Sequence, residues 1–288
     1  MTRDKVFQHR LHELITNAFK EDIGDGDHST LSIIGSDVKG KAILKIKDDG
    51  ILAGVEIAEK IFLYVEPGAI FKKFKNDGDS MQKGETAFEI EAKIHTILSC
   101  ERLVLNCMQR MSGIATLTKK YTDKIKGYST RLLDTRKTTP NFRLLEKEAV
   151  RIGGGINHRF GLYDMIMLKD NHIDYGGGIE KSIESAWQYV HNKMNGLEIE
   201  VETRNIEDVK KVIRIGKVKR IMLDNFSPAE IKEALKIIDG KYETEASGGI
   251  TLENIAAYAA TGVDFISSGA IIHQATSLDL SLKAEVQQ

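Results

Sequence analysis

The stretch LEIEVETRNIEDVKKVIRIGKVKRIMLDNFSPAEIKEALKIIDGKYETEAS, residues 197–247, repeats one unit twice and begins it a third time. A short apolar strand (LEIEVE, RIMLD, YETEAS) leads into a polar or glycine-bearing turn, and an amphipathic helix follows. The same unit extends in both directions, so that six strands are read at 130–134 (TRLLD), 164–168 (DMIML), 197–202, 220–224, 242–247 and 264–268 (DFISS). Strand and helix alternating this regularly imply parallel strands joined by helical crossovers, and six such units suggest an α/β barrel.

A barrel opens the C-terminal ends of all its strands onto one face, where binding and reactive residues collect. The residues that follow the six strands here are DTRK, KDNH, VET, LDN, ASGG and SSGA. They sort by chemistry. Cations come early in the chain (Arg136, Lys137, Lys169, with His158 and Arg159 from GGGINHRFG), carboxylates from the middle (Glu202, Asp224), and small turns late (Ser247, Gly248, Gly249, Ser268, Gly269). Glycine turns before a helix start expose backbone N–H groups to a phosphate, and in barrels such sites follow the last strands. The two carboxylates suit a hard cation such as magnesium, which shares its shell with waters and substrate phosphates, or equally sugar hydroxyls. The arginines match carboxylate or pyrophosphate through their bidentate forks. A multiply anionic small molecule is implied.

Composition excludes other classes. The 288 residues are 29% charged with a formal net charge of -1, so the chain is neither a polybasic nucleic-acid binder nor an acidic tail protein. Its first residues, MTRDKVFQHRLHELITNAFKED, break every apolar run with charge and read as a surface helix rather than a signal peptide or membrane span. The two cysteines, Cys100 and Cys107, lie seven apart on one expected helix, with no metal-ligand spacing and no disulfide geometry, which fits reduced thiols in a cytoplasm.

Before residue 115 the texture differs. KAILKIK (41–47), GAIFKKFK (68–75) and TAFEIEAKIH (86–95) alternate like half-buried strands, with turn signals at Asp49-Gly50 and Asp77-Gly78. A long helix is expected from about Leu98. Its apolar residues leave a narrow polar stripe of Arg102, Asn106, Gln109 and Gly113, and a buried guanidinium at Arg102 would need a partner such as a ligand carboxylate. Cys100, Cys107 and the methionines of this helix read as core. His158 and His172, taken singly, are more often satisfied structural histidines than bases.

The run DTRKTTPNFRLLEKEAVRIGGGINHRFGLYDMIMLKDNH (134–172) closely resembles the quinolinate phosphoribosyltransferases, the carboxylating nicotinate-nucleotide pyrophosphorylases of NAD biosynthesis. EDIGDGDHST (21–30), ERLVLNCMQRMSGIAT (101–116), IEVETRN (199–205), IMLDNFSP (221–228), EASGGI (245–250) and ISSGAIIHQATSLDLSLK (266–283) match further blocks of that family in order. The resemblance implies an α/β fold of two domains: an α/β sandwich over 1–115, to which the tail 272–288 returns, and an incomplete α/β barrel over 116–271. It implies transfer of a phosphoribosyl group from phosphoribosyl pyrophosphate to the pyridine nitrogen of quinolinate with magnesium, giving nicotinate mononucleotide, pyrophosphate and carbon dioxide. By the same resemblance Arg102, Arg136, His158, Arg159 and Lys169 bind quinolinate or its neighbouring groups, and Lys137 lies toward the pyrophosphate. Glu202 and Asp224 match metal and ribose residues; Ser247, Gly248, Gly249, Ser268 and Gly269 match the phosphate turns. It further implies a homodimer, or an assembly of dimers, in which Arg102 reaches into the neighbouring subunit's barrel. TTPNFR replaces the commoner TTPGLR and MLKDNH replaces LIKDNH; asparagine, at Asn141, is the next most tolerant residue of unusual backbone angles after glycine. Other readings are a related phosphoribosyltransferase acting on another pyridine or base, as in molybdenum-operon paralogues of this fold, a phosphate-binding barrel isomerase or aldolase, and a non-catalytic binding module.

Overall fold

Period-two alternation in the first third of the chain becomes an antiparallel sheet. The computed structural model describes residues 3–193 and 196–285, so the first two residues of the expected N-terminal helix and residues 286–288 of the expected returning tail lie outside the described residues. Helices α1 (Arg3–Asp22) and α2 (His28–Ile33) precede strands β1 (Lys39–Ile46) and β2 (Gly50–Ile51), helix α3 (Val55–Val65), and strands β3 (Ile70–Lys73), β4 (Ser80–Met81) and β5 (Thr86–Lys93). In β1 and β5 the inward residues meet across the ladder, Leu44 opposite Phe88 and Ala42 opposite Ile90, and all four are buried. Helix α3 closes this face with Ile57, Ala58, Ile61 and Phe62, and the Phe62 ring stands edge-on to Phe88 at 6.3 Å between centroids. The turn signal at Asp77-Gly78 has a second use: the Asp77 carboxylate accepts from Val55 N at 2.8 Å and so caps α3 from a distant loop.

Helix α4 (Ile94–Lys124) follows β5 without a loop, four residues before the expected start at Leu98. The boundary expected near residue 115 therefore falls inside a helix. The chain divides into two compact units: the described residues of Met1–Lys119, Thr138–Gly154 and Ile272–Gln288 form the first, and Lys120–Lys137 with Gly155–Ile271 the second. Residues 138–154, read above as part of a continuous barrel domain, thus cluster with the first unit. They hold helix α5 (Arg143–Ile152), whose Gly153 lies so close to α4 that an added Cβ would meet Ala115 O at 2.5 Å and Thr118 Cβ at 2.7 Å. The chain returns to this unit through strand β12 (Leu280–Glu285), which pairs with β1 in the order β12-β1-β5-β3.

The polar stripe on α4 is divided between two tasks. Gln109 Nε2 donates to Leu280 O at 3.0 Å, Leu278 N donates to Gln109 O at 3.1 Å, and Gly113 leaves room for Thr276 and Ser277, whose backbone an added Cβ would strike. The lower half of the stripe is the seat of the returning tail. Arg102 and Asn106, in the upper half, are exposed, so the buried guanidinium expected at Arg102 is not found within one chain.

All six expected parallel strands are present in the second unit: β6 (Arg131–Leu133), β7 (Ile166–Leu168), β8 (Ile199–Thr203), β9 (Arg220–Asp224), β10 (Glu243–Ser247) and β11 (Phe265–Ser267). Their order is β6-β11-β10-β9-β8-β7: from β7 to β11 each strand lies beside its sequence neighbour, and the last, β11, lies beside the first, β6. This is a barrel left open between β6 and β7, where Ile156 forms an isolated bridge to Leu133. The architecture is α/β, with an incomplete barrel of six parallel strands in one unit and an antiparallel N-terminal sheet in the other, as expected. Helices α6 (Asp170–Tyr175), α7 (Ile179–Lys193), α8 (Ile206–Ile215), α9 (Pro228–Ile238), α10 (Ile255–Ala259) and α11 (Ala270–His273) return the chain between strands. Several begin on local signals: Asn205 accepts from Asp208 N to cap α8, and Ser227 with Glu230 forms a capping box ahead of Pro228 on α9. Among the described residues no helix is long and apolar enough to cross a membrane.

Candidate active site

The open seam of the barrel is tied by a carboxylate. Asp134, fully buried at the end of β6, accepts from Asn157 Nδ2 at 2.7 Å and from His158 N at 2.8 Å. That holds the segment leading to Arg159, whose Nη1 donates to Met165 O at 3.1 Å. Burial, and after it the nearby charge of Arg136, draws the Arg159 guanidinium below its ordinary range. Two arginines thus stand close enough to repel, a disposition that a bound anion relieves. Lys137, next in the chain, is exposed and its N–H donates to Thr135 Oγ1 at 3.1 Å.

Beyond Arg159, β7 delivers Lys169 beside Glu202 from β8, with Nζ 3.7 Å from Oε2. Burial holds the Glu202 carboxyl above its ordinary range, Lys169 opposes that shift, and the charge of Asp224 adds to it. Asp224, from β9, accepts from Asn225 Nδ2 at 2.6 Å. His172 takes no part in this group: its Nδ1 accepts from Lys169 N at 3.0 Å and caps α6.

The turn after β10 depends on two glycines. Gly248 and Gly249 have φ of 91° and 62°, and Asn225 opposite them has φ 57°. An added Cβ on Gly248 would collide with the Asn225 side chain and approach Asn225 N at 2.9 Å, whereas at Gly249 it would meet nothing within 4 Å. Ser247 is half-buried at the strand end. Ser268 differs from the phosphate reading given to it: it is buried, its Oγ donates to Ile250 O at 3.2 Å and its N–H to Leu133 O at 3.1 Å. Of the SSG turn, the half-buried Gly269 is the part that leads into α11.

His158, expected among the substrate cations, is turned into the barrel interior. Its side chain is 5% exposed, and Nε2 lies 3.1 Å from Glu200 Oε2 and 3.2 Å from Glu245 Oε2. Burial alone would lower its pKa, but the two carboxylates outweigh burial and raise it to about 9. Arg220 completes the group, with Nη1 3.0 Å from Glu245 Oε2 and Nη2 3.0 Å from Glu243 Oε2. Sequence reading missed Glu200, Glu245, Arg220, Asp134 and Asn225. The available signal was their spacing, since Glu200 and Glu245 precede Glu202 and Ser247 by two residues and share their face of the sheet.

A second buried knot holds the loop after Lys137 within the first unit. Glu146, fully buried, accepts from Arg110 Nε at 2.9 Å and from Thr139 N at 2.8 Å. Arg110 in turn donates to the carbonyls of Ala275 and Ile272. Between them Asn141 takes φ 62°, the unusual angle that its replacement of glycine foreshadowed.

Comparison with known proteins places this geometry. The model of the quinolinate phosphoribosyl transferase C-terminal domain matches residues 114–283, and that of the N-terminal domain matches residues 27–112. A probable carboxylating nicotinate-nucleotide pyrophosphorylase of Bacillus subtilis is 42% identical over 273 residues, covering 95% of this chain and 93% of its own. The chloroplastic carboxylating nicotinate-nucleotide pyrophosphorylase of Arabidopsis thaliana is 43% identical over 292 residues, covering 96% of this chain and 83% of its own. The solved nicotinate-nucleotide pyrophosphorylase of Francisella tularensis superposes with a TM-score of 0.87 at 37% identity, over 96% of each chain.

Proposed function

From the premise that this chain belongs to the quinolinate phosphoribosyltransferase family, we propose that its barrel mouth transfers the phosphoribosyl group of phosphoribosyl pyrophosphate to quinolinate. The reaction is the decarboxylating one of NAD biosynthesis, and it releases nicotinate mononucleotide, pyrophosphate and carbon dioxide. The observation that carries the reading is the pair Arg136 and Arg159: burial first, and then the charge of Arg136, disfavour the charge of Arg159. Quinolinate brings two adjacent carboxylates, and a pair of repelling guanidiniums with Lys169 beside them is matched to that charge.

Each residue then has a role that follows from charge. Arg136, Arg159 and Lys169 fix the dicarboxylate so that the pyridine nitrogen faces the ribosyl carbon, and Lys137 answers the departing pyrophosphate. Ser247, Gly248, Gly249 and Gly269 offer turns to the 5-phosphate. Fixing both reactants in line supplies much of the rate, and cations placed where the leaving anion develops supply the rest. After transfer, the positively charged pyridinium nitrogen stabilises the carbanion left by loss of the adjacent carboxylate, and a proton taken up from water at that carbon completes nicotinate mononucleotide; loss of carbon dioxide itself removes no proton, so no dedicated base is required. Glu202 and Asp224 fit a divalent cation: burial and Asp224's charge hold the Glu202 carboxyl high, and a cation between them removes that penalty. Magnesium held there would neutralise pyrophosphate oxygens.

The dicarboxylate needs cations on more than one side, and Arg136, Arg159 and Lys169 all come from the early strands. The exposed Arg102 supports a dimer, or an assembly of dimers, in which that side chain acts in the neighbour's site. The two buried, unpaired cysteines, whose thiols burial raises to about 12, support a reducing cytoplasmic setting. The test is direct. Purified protein with phosphoribosyl pyrophosphate and magnesium is given quinolinate or nicotinate, and nicotinate mononucleotide is followed; comparable specificity constants for the two acids would overturn the reading, because nicotinate leaves one cation unanswered.

A further inference from the structure

The lumen of an α/β barrel is ordinarily filled with branched apolar side chains in layers. Beneath this mouth the layer is ionic instead. His158 is 5% exposed, Glu200 1%, Glu245 0% and Arg220 10%, each measured on the side chain. Four charged or chargeable groups taken out of water are tolerated only when they answer one another, and an apolar set of similar volume would hold the fold at least as well. Stability is therefore a poor reason for the cluster.

Its donor atoms, one imidazole nitrogen and two carboxylate oxygens within 4.8 Å of one another, are of the kind that hold a metal ion. Arg220 argues against that occupant. Its Nη1 is 3.0 Å from Glu245 Oε2 and 3.9 Å from Glu200 Oε2, so a guanidinium already occupies the open side of both carboxylates. With Nδ1 accepting from Arg159 N, the ring turns its Nε2 toward the two carboxyl groups, at 3.1 Å from Glu200 and 3.2 Å from Glu245.

What the cluster reaches is the anion site above it. Glu200 lies two residues below Glu202 on β8, and Glu245 two below Ser247 on β10, each pair on one face of its strand. His158 immediately precedes Arg159; its backbone N–H is held by Asp134, and its Nδ1 accepts from Arg159 N at 2.6 Å. We propose that Glu200, Glu245 and Arg220 are positioning residues for quinolinate recognition: they clamp the His158 ring from below, and the clamped ring sets the backbone from which Arg159 reaches the substrate. The proposal rests on the reading of Arg159 as a quinolinate ligand.

The experiment is steady-state kinetics of the full-length enzyme carrying Glu200→Gln, Glu245→Gln, His158→Gln or the double substitution His158→Gln/Glu245→Gln, with thermal unfolding in parallel. Each single variant is expected to raise KM for quinolinate about tenfold while KM for phosphoribosyl pyrophosphate stays within about twofold, since the lost ion-pair contacts with the His158 ring bear on one substrate only. The double variant is expected to resemble its worse parent, because both changes act through the same ring. Should a single Gln variant fail to fold for want of charge balance, Glu245→Gln/Arg220→Met removes one charge of each sign and is held to the same KM criterion. Unchanged KM for quinolinate, an equal rise in both KM values, or multiplying effects of His158→Gln and Glu245→Gln would overturn the proposal. A wild-type enzyme unable to use quinolinate would sink the functional reading instead, so the two failures are separable.

Discussion

Replacing Gly248 by alanine tests whether the turn after β10 holds Asp224 in place, and Gly249 provides the control. Both glycines have positive φ, 91° and 62°, so alanine at either is strained by about 1–2 kcal/mol. At Gly249 nothing stands within 4 Å of the new Cβ, and strain is the whole cost. At Gly248 the Cβ would lie 2.6 Å from Asn225 Cγ and 2.9 Å from Asn225 N, which adds about 1–3 kcal/mol of overpacking. Gly248→Ala is therefore expected to cost about 2–5 kcal/mol in urea unfolding, and Gly249→Ala about 1–2. The displaced Asn225 also withdraws Nδ2 from Asp224 Oδ2, now 2.6 Å away. A hydrogen bond to a charged group contributes about 1.5–3 kcal/mol, so KM for phosphoribosyl pyrophosphate should rise about tenfold or more in Gly248→Ala and little in Gly249→Ala. Adding Asn225→Gly, which tolerates φ 57°, should recover much of the stability without the affinity, since the clash is eased while Asp224 still lacks its donor. Equal destabilisation by the two alanines, or an unchanged KM in Gly248→Ala, would refute the argument.

Asp224→Asn and Glu202→Gln keep shape and remove charge, so magnesium-dependent use of phosphoribosyl pyrophosphate should weaken while calorimetry still detects binary quinolinate binding; loss of that binding with normal metal dependence would reassign the carboxylates. The His158 imidazole, raised from its ordinary 6.5 to about 9, stabilises the fold fully below pH 6.5 and loses that contribution as pH rises through 9. The shift corresponds to an upper bound of about 3 kcal/mol. Thermal unfolding of His158→Gln should accordingly vary less between pH 6.5 and 9.5 than that of the parent, and parallel curves would deny the imidazole this role. Mixing inactive Arg102→Ala with inactive Lys169→Ala subunits under conditions of exchange should restore partial activity, because a mixed dimer regains one site with both residues intact; confirmed exchange without recovery would place Arg102 outside the neighbour's site.

Element type was legible wherever one physical pattern acted alone. Each of the six barrel strands was found from a short apolar run between a helix and a turn, and the tail's return was carried by the family resemblance. Boundaries failed where two patterns overlapped. The alternation of TAFEIEAK continues through Ile94 and His95, so nothing local marks the passage from β5 into α4. Helix α5 failed in assignment rather than in type. An amphipathic helix after a strand reads as a barrel crossover, but its buried residues Leu145, Ala149 and Val150 belong to the first unit, where Glu146 is answered by Arg110 from α4. That partner is 36 positions away, beyond the reach of any local period.

The mouth of the barrel was legible because topology alone brings strand ends together, so Arg136, Lys169, Glu202, Asp224 and Ser247 needed no tertiary detail to be grouped. The layer beneath was hidden by an inverted alternation. In LEIEVE the habitual reading sends isoleucine and valine inward and glutamate to solvent. In β8 both sets are buried, since Ile199 and Val201 face the covering helices while Glu200 and Glu202 face the lumen, where His158, Lys169 and Arg220 meet them. A strand whose apolar and acidic positions are equally buried must have a polar lumen, because only there can carboxylates find cations instead of water. His158 follows the same logic. Its neighbours in sequence, Asn157 and Arg159, suggest a ligand, but the orientation of an imidazole is decided by the charges that surround it, and those come from β8 and β10, 42 and 87 positions further along the chain.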